Sequence, residues 1–120
     1  MEYLEFLRAT MSALPQDKIV PNPLSGTTRI VKYSGDTLVF QRRNSKFYVS
    51  LRVLHRILNH FEGGDVSSRD LRRYAPEIFD SRKGGHSCNC TMLFIISVAT
   101  GIADTIEGRG QAGDPFYITI

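Results

Sequence analysis

The stretch Gly84-Gly85-His86-Ser87-Cys88-Asn89-Cys90-Thr91, continued by Met92-Leu93-Phe94-Ile95-Ile96-Ser97-Val98-Ala99, decides how the chain is read. Two glycines interrupt whatever precedes them. A short run of small or polar residues follows, and then eight residues that are apolar almost all round. Gly101 closes the segment. A helix starting near Ser87, with a neutral first turn and a body lying against the core, satisfies that pattern.

Upstream, Ser67-Ser68-Arg69-Asp70 has the spacing of a capping box and opens a helix with Leu71, Tyr74 and Ala75 turned inward. Pro76 ends or bends it, and Ile78 and Phe79 pack in the turn that follows. Further back, Ser50 can cap a helix with Leu51, Leu54, Leu58 and Phe61 on one stripe, ended by Gly63-Gly64. Downstream, Ile102-Ala103-Asp104-Thr105-Ile106 reads as a strand. Residues 115–120 read as a second one, with Phe116, Ile118 and Ile120 alternating on a buried face. Between them, residues 107–114 form a Gly- and Arg-bearing hairpin tip.

The first half divides differently. Leu4, Leu7, Met11 and Leu14 recur at helical spacing behind Glu2 and Glu5, so the chain opens with a helix over Met1 to Leu14. Pro15 and the run Pro21-Asn22-Pro23-Leu24-Ser25-Gly26 stop it and supply a linker. Residues 29–33 and 37–40 then meet across Ser34-Gly35-Asp36, and residues 46–49 return after the turn Arg42-Arg43-Asn44-Ser45. The expected fold is α+β. An N-terminal helix and linker occupy residues 1–26, and one domain spans residues 27–120: a small antiparallel meander, three helices and a C-terminal β-hairpin.

Helix, helix, helix and then a hairpin is the order of a winged helix-turn-helix, which the chain resembles from about Ser50 to Ile120. The resemblance implies that the third helix enters the major groove of double-stranded DNA, with the hairpin as the wing. Base contacts then fall to Ser87, Cys88, Asn89, Cys90 and Thr91. An amide at Asn89 can pair bidentately with adenine or can cap the helix, and both readings stand. Arg69, Arg72 and Arg73 face phosphates, as do Arg82 and Lys83 just before the third helix. Arg109 at the wing tip either enters the minor groove or stays a solvated loop residue. A looser similarity rests on three segments, Ser67-Ser68-Arg69-Asp70-Leu71, residues 85–91 and Gly108-Arg109-Gly110 with Pro115-Phe116. Together they resemble winged-helix reader domains of modification-dependent restriction endonucleases. That implies recognition of methylated DNA. No cluster of carboxylates with a lysine accompanies it, so the expectation is binding without cleavage and no enzymatic activity.

Charge supports a polyanionic partner. Lys and Arg total 15 against 12 Asp and Glu, a net charge of +3. Residues 29–83 hold 12 basic and 6 acidic residues, while the two ends together hold 3 basic and 6 acidic. The surplus is therefore concentrated in the middle. The acidic start is unlike a signal peptide, no apolar run reaches spanning length, and Cys88 and Cys90 cannot build a disulfide framework. A soluble, cytoplasmic, nucleoid-associated protein without membrane contact is expected. The N-terminal helix is either a strap on its own domain or an arm for a homodimer.

Three other signals are set aside. The GxGxxG match at residues 108–113 leads into Asp114-Pro115 and a strand, with no helix N-terminus to hold a pyrophosphate. His86, Cys88 and Cys90 lack the second ligand pair that zinc requires, so no metal or cofactor is expected. Cys88 beside His86 has no third orienting group, and His55 reads as a surface residue. The rival to DNA binding is a winged helix that holds protein, with the N-terminal helix as the joint.

Overall fold

The computed structural model describes residues 1–120, which separate into two compact units, Met1–His60 and Phe61–Ile120. The architecture is mixed α+β: five helices, a four-stranded antiparallel sheet and a two-stranded sheet. The boundary differs from the expected one at residue 26. Residues 15–26 are not a free linker, because Ile19–Pro21 forms a strand in the first unit's sheet. The first of the three expected helices also belongs to that unit.

The first unit runs α1 (Tyr3–Ala13), β1 (Ile19–Pro21), β2 (Thr27–Ser34), β3 (Thr37–Arg42), β4 (Ser45–Ser50) and α2 (Leu51–His60), with its strands in the order β1-β2-β3-β4. Alternation places Ile30, Leu38, Phe40 and Val49 in the core, and Phe40 stacks on Phe47 with centroids 5.3 Å apart. The bulge between Ile30 and Lys32 leaves Val31 without a partner on β3. Ser50 Oγ accepts from Val53 N–H at 3.2 Å, the expected cap of α2. Leu51, Leu54, Ile57 and Leu58 are buried behind it.

The face of α1 is corrected. Phe6, Thr10 and Leu14 are the buried positions, whereas Leu4 is 60% and Met11 43% exposed. The aliphatic spacing of Leu4, Leu7, Met11 and Leu14 resembles one stripe, but the neighbouring row carries the aromatic ring. Burying Phe6 completely is worth about 1.5–3 kcal/mol, more than a half-covered leucine. The Thr10 hydroxyl is satisfied inside by donating to Phe6 O at 2.8 Å. Tyr33 donates to Leu14 O at 2.6 Å, fastening the end of α1 to β2.

The second unit runs β5 (Asp65–Ser67), α3 (Ser68–Tyr74), α4 (Pro76–Phe79), a 3₁₀ turn at Ser81–Lys83, α5 (Cys88–Ala99) and β6 (Tyr117–Thr119). The capping box is present. Ser67 Oγ accepts from Asp70 N–H at 3.0 Å, and Asp70 Oδ2 accepts from Ser67 N–H at 2.9 Å. Leu71 and Ala75 are buried as expected, but Tyr74 is exposed and meets Phe61 edge-on. Pro76 opens α4, whose Phe79 is fully buried. In α5, residues 92–97 are all buried.

The expected strand at residues 102–106 does not form. After Gly101, at φ +80, the chain folds back and Ala103 N–H donates to Ser97 O at 3.0 Å, so these residues close the end of α5 instead. β6 pairs with β5, joining Asp65 to Thr119, Val66 to Ile118 and Ser67 to Tyr117. The expected C-terminal hairpin is thereby replaced by a long loop. Paired bonds between Glu107 and Tyr117 and between Gln111 and Asp114 fasten it.

Gly85 marks the tightest approach within the turn before α5. A Cβ there would stand 2.5 Å from Ile78 C and 2.7 Å from both Ile78 O and Phe79 N. Backbone atoms cannot swing aside as a side chain would. Gly85→Ala is expected to cost roughly 1–3 kcal/mol in chemical denaturation, as overpacking does. A change within experimental error would mean that the turn is looser than these distances require.

Candidate nucleic-acid interface

Three hydrogen bonds organise the turn that presents α5. Ile78 O accepts from His86 N–H at 3.0 Å and from Asn89 Nδ2 at 2.9 Å, while Gly85 N–H donates to Asp80 O at 2.9 Å. Asn89 is only 5% exposed, and its Oδ1 is buried without a protein partner. The side chain that sequence reasoning assigned to adenine readout therefore points inward and ties α4 to α5. Cys90, 3% exposed, is likewise an interior residue, with Sγ 3.9 Å from Ser68 O. Both are corrected from base-contact candidates to packing residues. The signal that separates them from their neighbours is helical phase: Asn89, Cys90, Leu93 and Ile96 share the buried side of α5.

The other first-turn candidates remain at the surface. Ser87 is exposed, while Cys88 and Thr91 are half-buried. Most of the predicted cations stand on the segments that precede α5. Arg69 and Arg73 are exposed on α3, and Arg72 between them is half-buried. Arg72 acts electrostatically on both Cys90 and Asp80, so it stands between the start of α5 and the 3₁₀ turn. Arg82 donates through Nε to Asp80 Oδ1 at 3.2 Å while its backbone N–H donates to the same oxygen at 2.9 Å. These bonds, the side-chain one foremost, hold the Asp80 carboxylate below the usual range. Lys83 is exposed. The structure thus brings Arg72, the 3₁₀ turn and the first turn of α5 together. Arg109 lies elsewhere, on the 107–117 loop, exposed and 3.9 Å from Asp114.

Gly110 is held against Phe116, whose ring would be 2.3 Å from a Cβ at that position. This close approach holds Arg109 on the flank of the loop, while the tip is the turn at residues 112–113 between the paired Gln111 and Asp114, so the expected tip position of Arg109 is corrected. Tyr117 at the loop's other end has its hydroxyl pKa raised, chiefly by the charge of Glu107.

A polar cluster in the first unit was not legible in the sequence. The Tyr3 hydroxyl donates to Asp36 Oδ1, and Arg52 Nε reaches Asp36 Oδ2 at 3.4 Å with its guanidinium 4.1 Å from the Tyr3 ring centroid. Burial, then the bond to Asp36, pushes the Tyr3 hydroxyl up to about 12. His55, read as a surface residue, meets the rings of Tyr3 and Phe6, and its Nε2 is 2.7 Å from Met1 O. Tyr3, Arg52 and His55 border an open concavity of about 650 Å³. Every polar group in the set is engaged with another element of the unit, which is the chemistry of a clamp on α1. Nowhere do three or more His, Cys, Asp or Glu side chains converge to hold a metal ion. No helix is long and apolar enough to cross a membrane.

Comparison of the chain with protein families, curated proteins and solved structures finds no match.

Two predictions test the inward assignment. Asn89→Ala removes the bond to Ile78 O but leaves that carbonyl its bond from His86. A loss of about 1 kcal/mol in denaturation is expected. An unchanged midpoint would show that the amide carries nothing. Burial pushes the Cys90 thiol from its ordinary value of 9.0 up to about 12, so the folded chain keeps a proton that the unfolded chain releases. Stability from this group is complete below 9.0 and is lost as pH rises toward about 12. In mildly alkaline buffer a thiol reagent should label Cys88 alone, with Cys90 joining only on denaturation. Equal labelling rates in the folded chain would contradict the burial.

Proposed function

We infer that the second unit is a non-enzymatic module for double-stranded DNA of the winged-helix type, with α3 as the supporting helix and α5 as the reading helix. One observation carries this reading. Arg69, Arg72, Arg73, Arg82 and Lys83 stand on the two segments that precede an uncharged helix start, and only Arg82 among them is in an ion pair. Such an arrangement suits phosphate contacts beside base contacts made by neutral groups. The base-reading set shrinks to Ser87, Cys88 and Thr91, small side chains suited to a hydroxyl contact or to the methyl of thymine or a methylated base. In place of a two-stranded wing, the 107–117 loop with its exposed Arg109 is the segment we assign to the wing's contact with DNA. The resemblance to modification readers makes a methylated duplex the first ligand to try.

Binding of labelled duplexes at two salt concentrations tests it. Affinity should fall steeply with salt. The double variant Arg69→Ala/Arg73→Ala should shallow the logarithmic slope by about two, roughly one for each phosphate that is no longer neutralised. Thr91→Ala should narrow discrimination between methylated and unmethylated duplexes while sparing non-specific affinity. Salt-independent binding would sink the reading.

A protein-binding module is the second reading, favoured by the exposed Leu4 and Met11 on α1. A homodimer through α1 fits it as well. Under this reading Leu4→Glu/Met11→Glu abolishes association in sedimentation experiments, and no duplex shifts the protein at low salt.

A further inference from the structure

The outer face of the first unit's sheet carries a charge that the proposed duplex site does not use. Residues 27–50 contain five cations, Arg29, Lys32, Arg42, Arg43 and Lys46, against a single acid, Asp36. That acid lies in the β2–β3 turn, at the opposite end of the strands from the β3–β4 turn, and is occupied by Tyr3 and Arg52. Arg29 is paired with Asp17 at 2.9 Å. Lys32, Arg42, Arg43 and Lys46 have no ion-pair partner.

Register brings Lys32 and Lys46 to the face of one ring, while Arg42 alternates to the opposite face with Phe40. Lys32 pairs with Val39 and Val39 with Tyr48, so the three form a row across β2, β3 and β4. In the next row Gln41 pairs with Lys46, two residues before Tyr48 on β4. Side chains two apart along a strand share a face, so Lys46 and Tyr48 project together. Val39 at the centre of the row is buried, yet Tyr48 is 65% exposed. Its ring takes part in none of the close aromatic pairs that Phe40, Phe61 and Tyr74 form. Lys46 then stands about 7 Å along the strand from Tyr48 and Lys32 about 10 Å across the sheet. The β3–β4 turn adds Arg43, exposed and held at φ +55, at the end of the same strand.

An exposed aromatic ring flanked by unpaired cations at that spacing matches a stacked base with phosphates on either side. A base inside a duplex has no free face to offer such a ring. We propose that this sheet face binds a single-stranded polynucleotide, with one base stacked on Tyr48 and the backbone held by Lys32, Lys46 and Arg43. The site is separate in sequence from the duplex module and stands whether or not that module binds DNA.

Fluorescence anisotropy of the full chain tests it, with labelled homothymidine and homouridine strands and a duplex hairpin as probes. Tyr48→Ala should weaken single-strand binding by about tenfold, the loss of one stacked base, and leave duplex affinity within about twofold. Tyr48→Phe keeps the ring and should bind within about threefold of the parent, a rescue that a merely structural tyrosine hydroxyl would not show. Lys32→Ala/Lys46→Ala should lower the salt dependence for the single strand only. Arg69→Ala/Arg73→Ala should do the reverse, so the two sites fail independently. Preference for homouridine over homothymidine assigns the natural strand to RNA, and parity assigns it to either. The proposal is overturned if the parent binds neither strand at low salt, or if Tyr48→Ala binds single strands as the parent does. It is equally overturned if Tyr48→Ala lowers single-strand and duplex affinity alike. Circular dichroism spectra overlaying that of the parent confirm that each variant is folded.

Discussion

The carbonyl of Ile78 is the point on which the second unit turns. A backbone oxygen has two lone pairs, and here both are used, by His86 N–H and by Asn89 Nδ2. The first bond reverses the chain after the 3₁₀ turn. The second locks the start of α5 to the end of α4. Neither is possible unless the chain passes within touching distance of Ile78, and only a residue without Cβ can do that at position 85. Asp80 completes the turn from the other side, accepting from Arg82 through its side chain and from Gly85 through its carbonyl. The orientation of α5 therefore follows from six residues within a dozen positions.

That local knot explains the division of roles in the first turn of α5. Once Asn89 is committed inward, helical geometry fixes which neighbours follow it. Cys90 is carried inside, while Ser87, Cys88 and Thr91 retain exposure. A cation in this turn would sit close to Arg72, which already acts on both Cys90 and Asp80. Small neutral groups avoid that conflict. The same residues that make the turn fold are thus the ones that leave its surface uncharged.

Features written within a few residues were legible in the sequence. The capping box at Ser67 and Asp70, the hairpin around Gly35, the Ser50 cap and the apolar body of α5 each depend on local spacing, and each is present. Features that depend on a distant partner were not. Ile102 to Ile106 has strand-like composition, but β6 found its partner in β5, about fifty residues earlier in the chain, where Val66 and Ile118 are both fully buried. β1 was hidden because Pro21 reads as a breaker, although a proline is tolerated on an edge strand. On α1 two adjacent rows were both hydrophobic enough to be the core face. The tie was broken by Phe6, whose larger area outweighs Leu4 and Met11.

The candidate sites divide along the same line. Arginines on α3 could be placed from sequence because exposure is the default for a charge on a short amphipathic helix. Asn89 could not, because an amide near a helix start has two uses, and only the position of Ile78 O selects one. Tyr48 is not legible in the sequence for the converse reason. In the alternation of β4 it looks like any aromatic of a half-buried strand, and its exposure depends on β4 being the outer strand of its sheet. Edge position matters energetically as well. A tyrosine left in water on an edge strand forgoes burial worth about 1.5–3 kcal/mol on the scale of other large side chains, and three unpaired cations on β2, β4 and the β3–β4 turn add mutual repulsion. A polyanion with an unpaired base relieves both costs at once, since it screens the lysines and covers the ring. Hydrophobic burial and charge neutralisation therefore point to one ligand class at that face, although neither Tyr48 nor the cations alone would identify it.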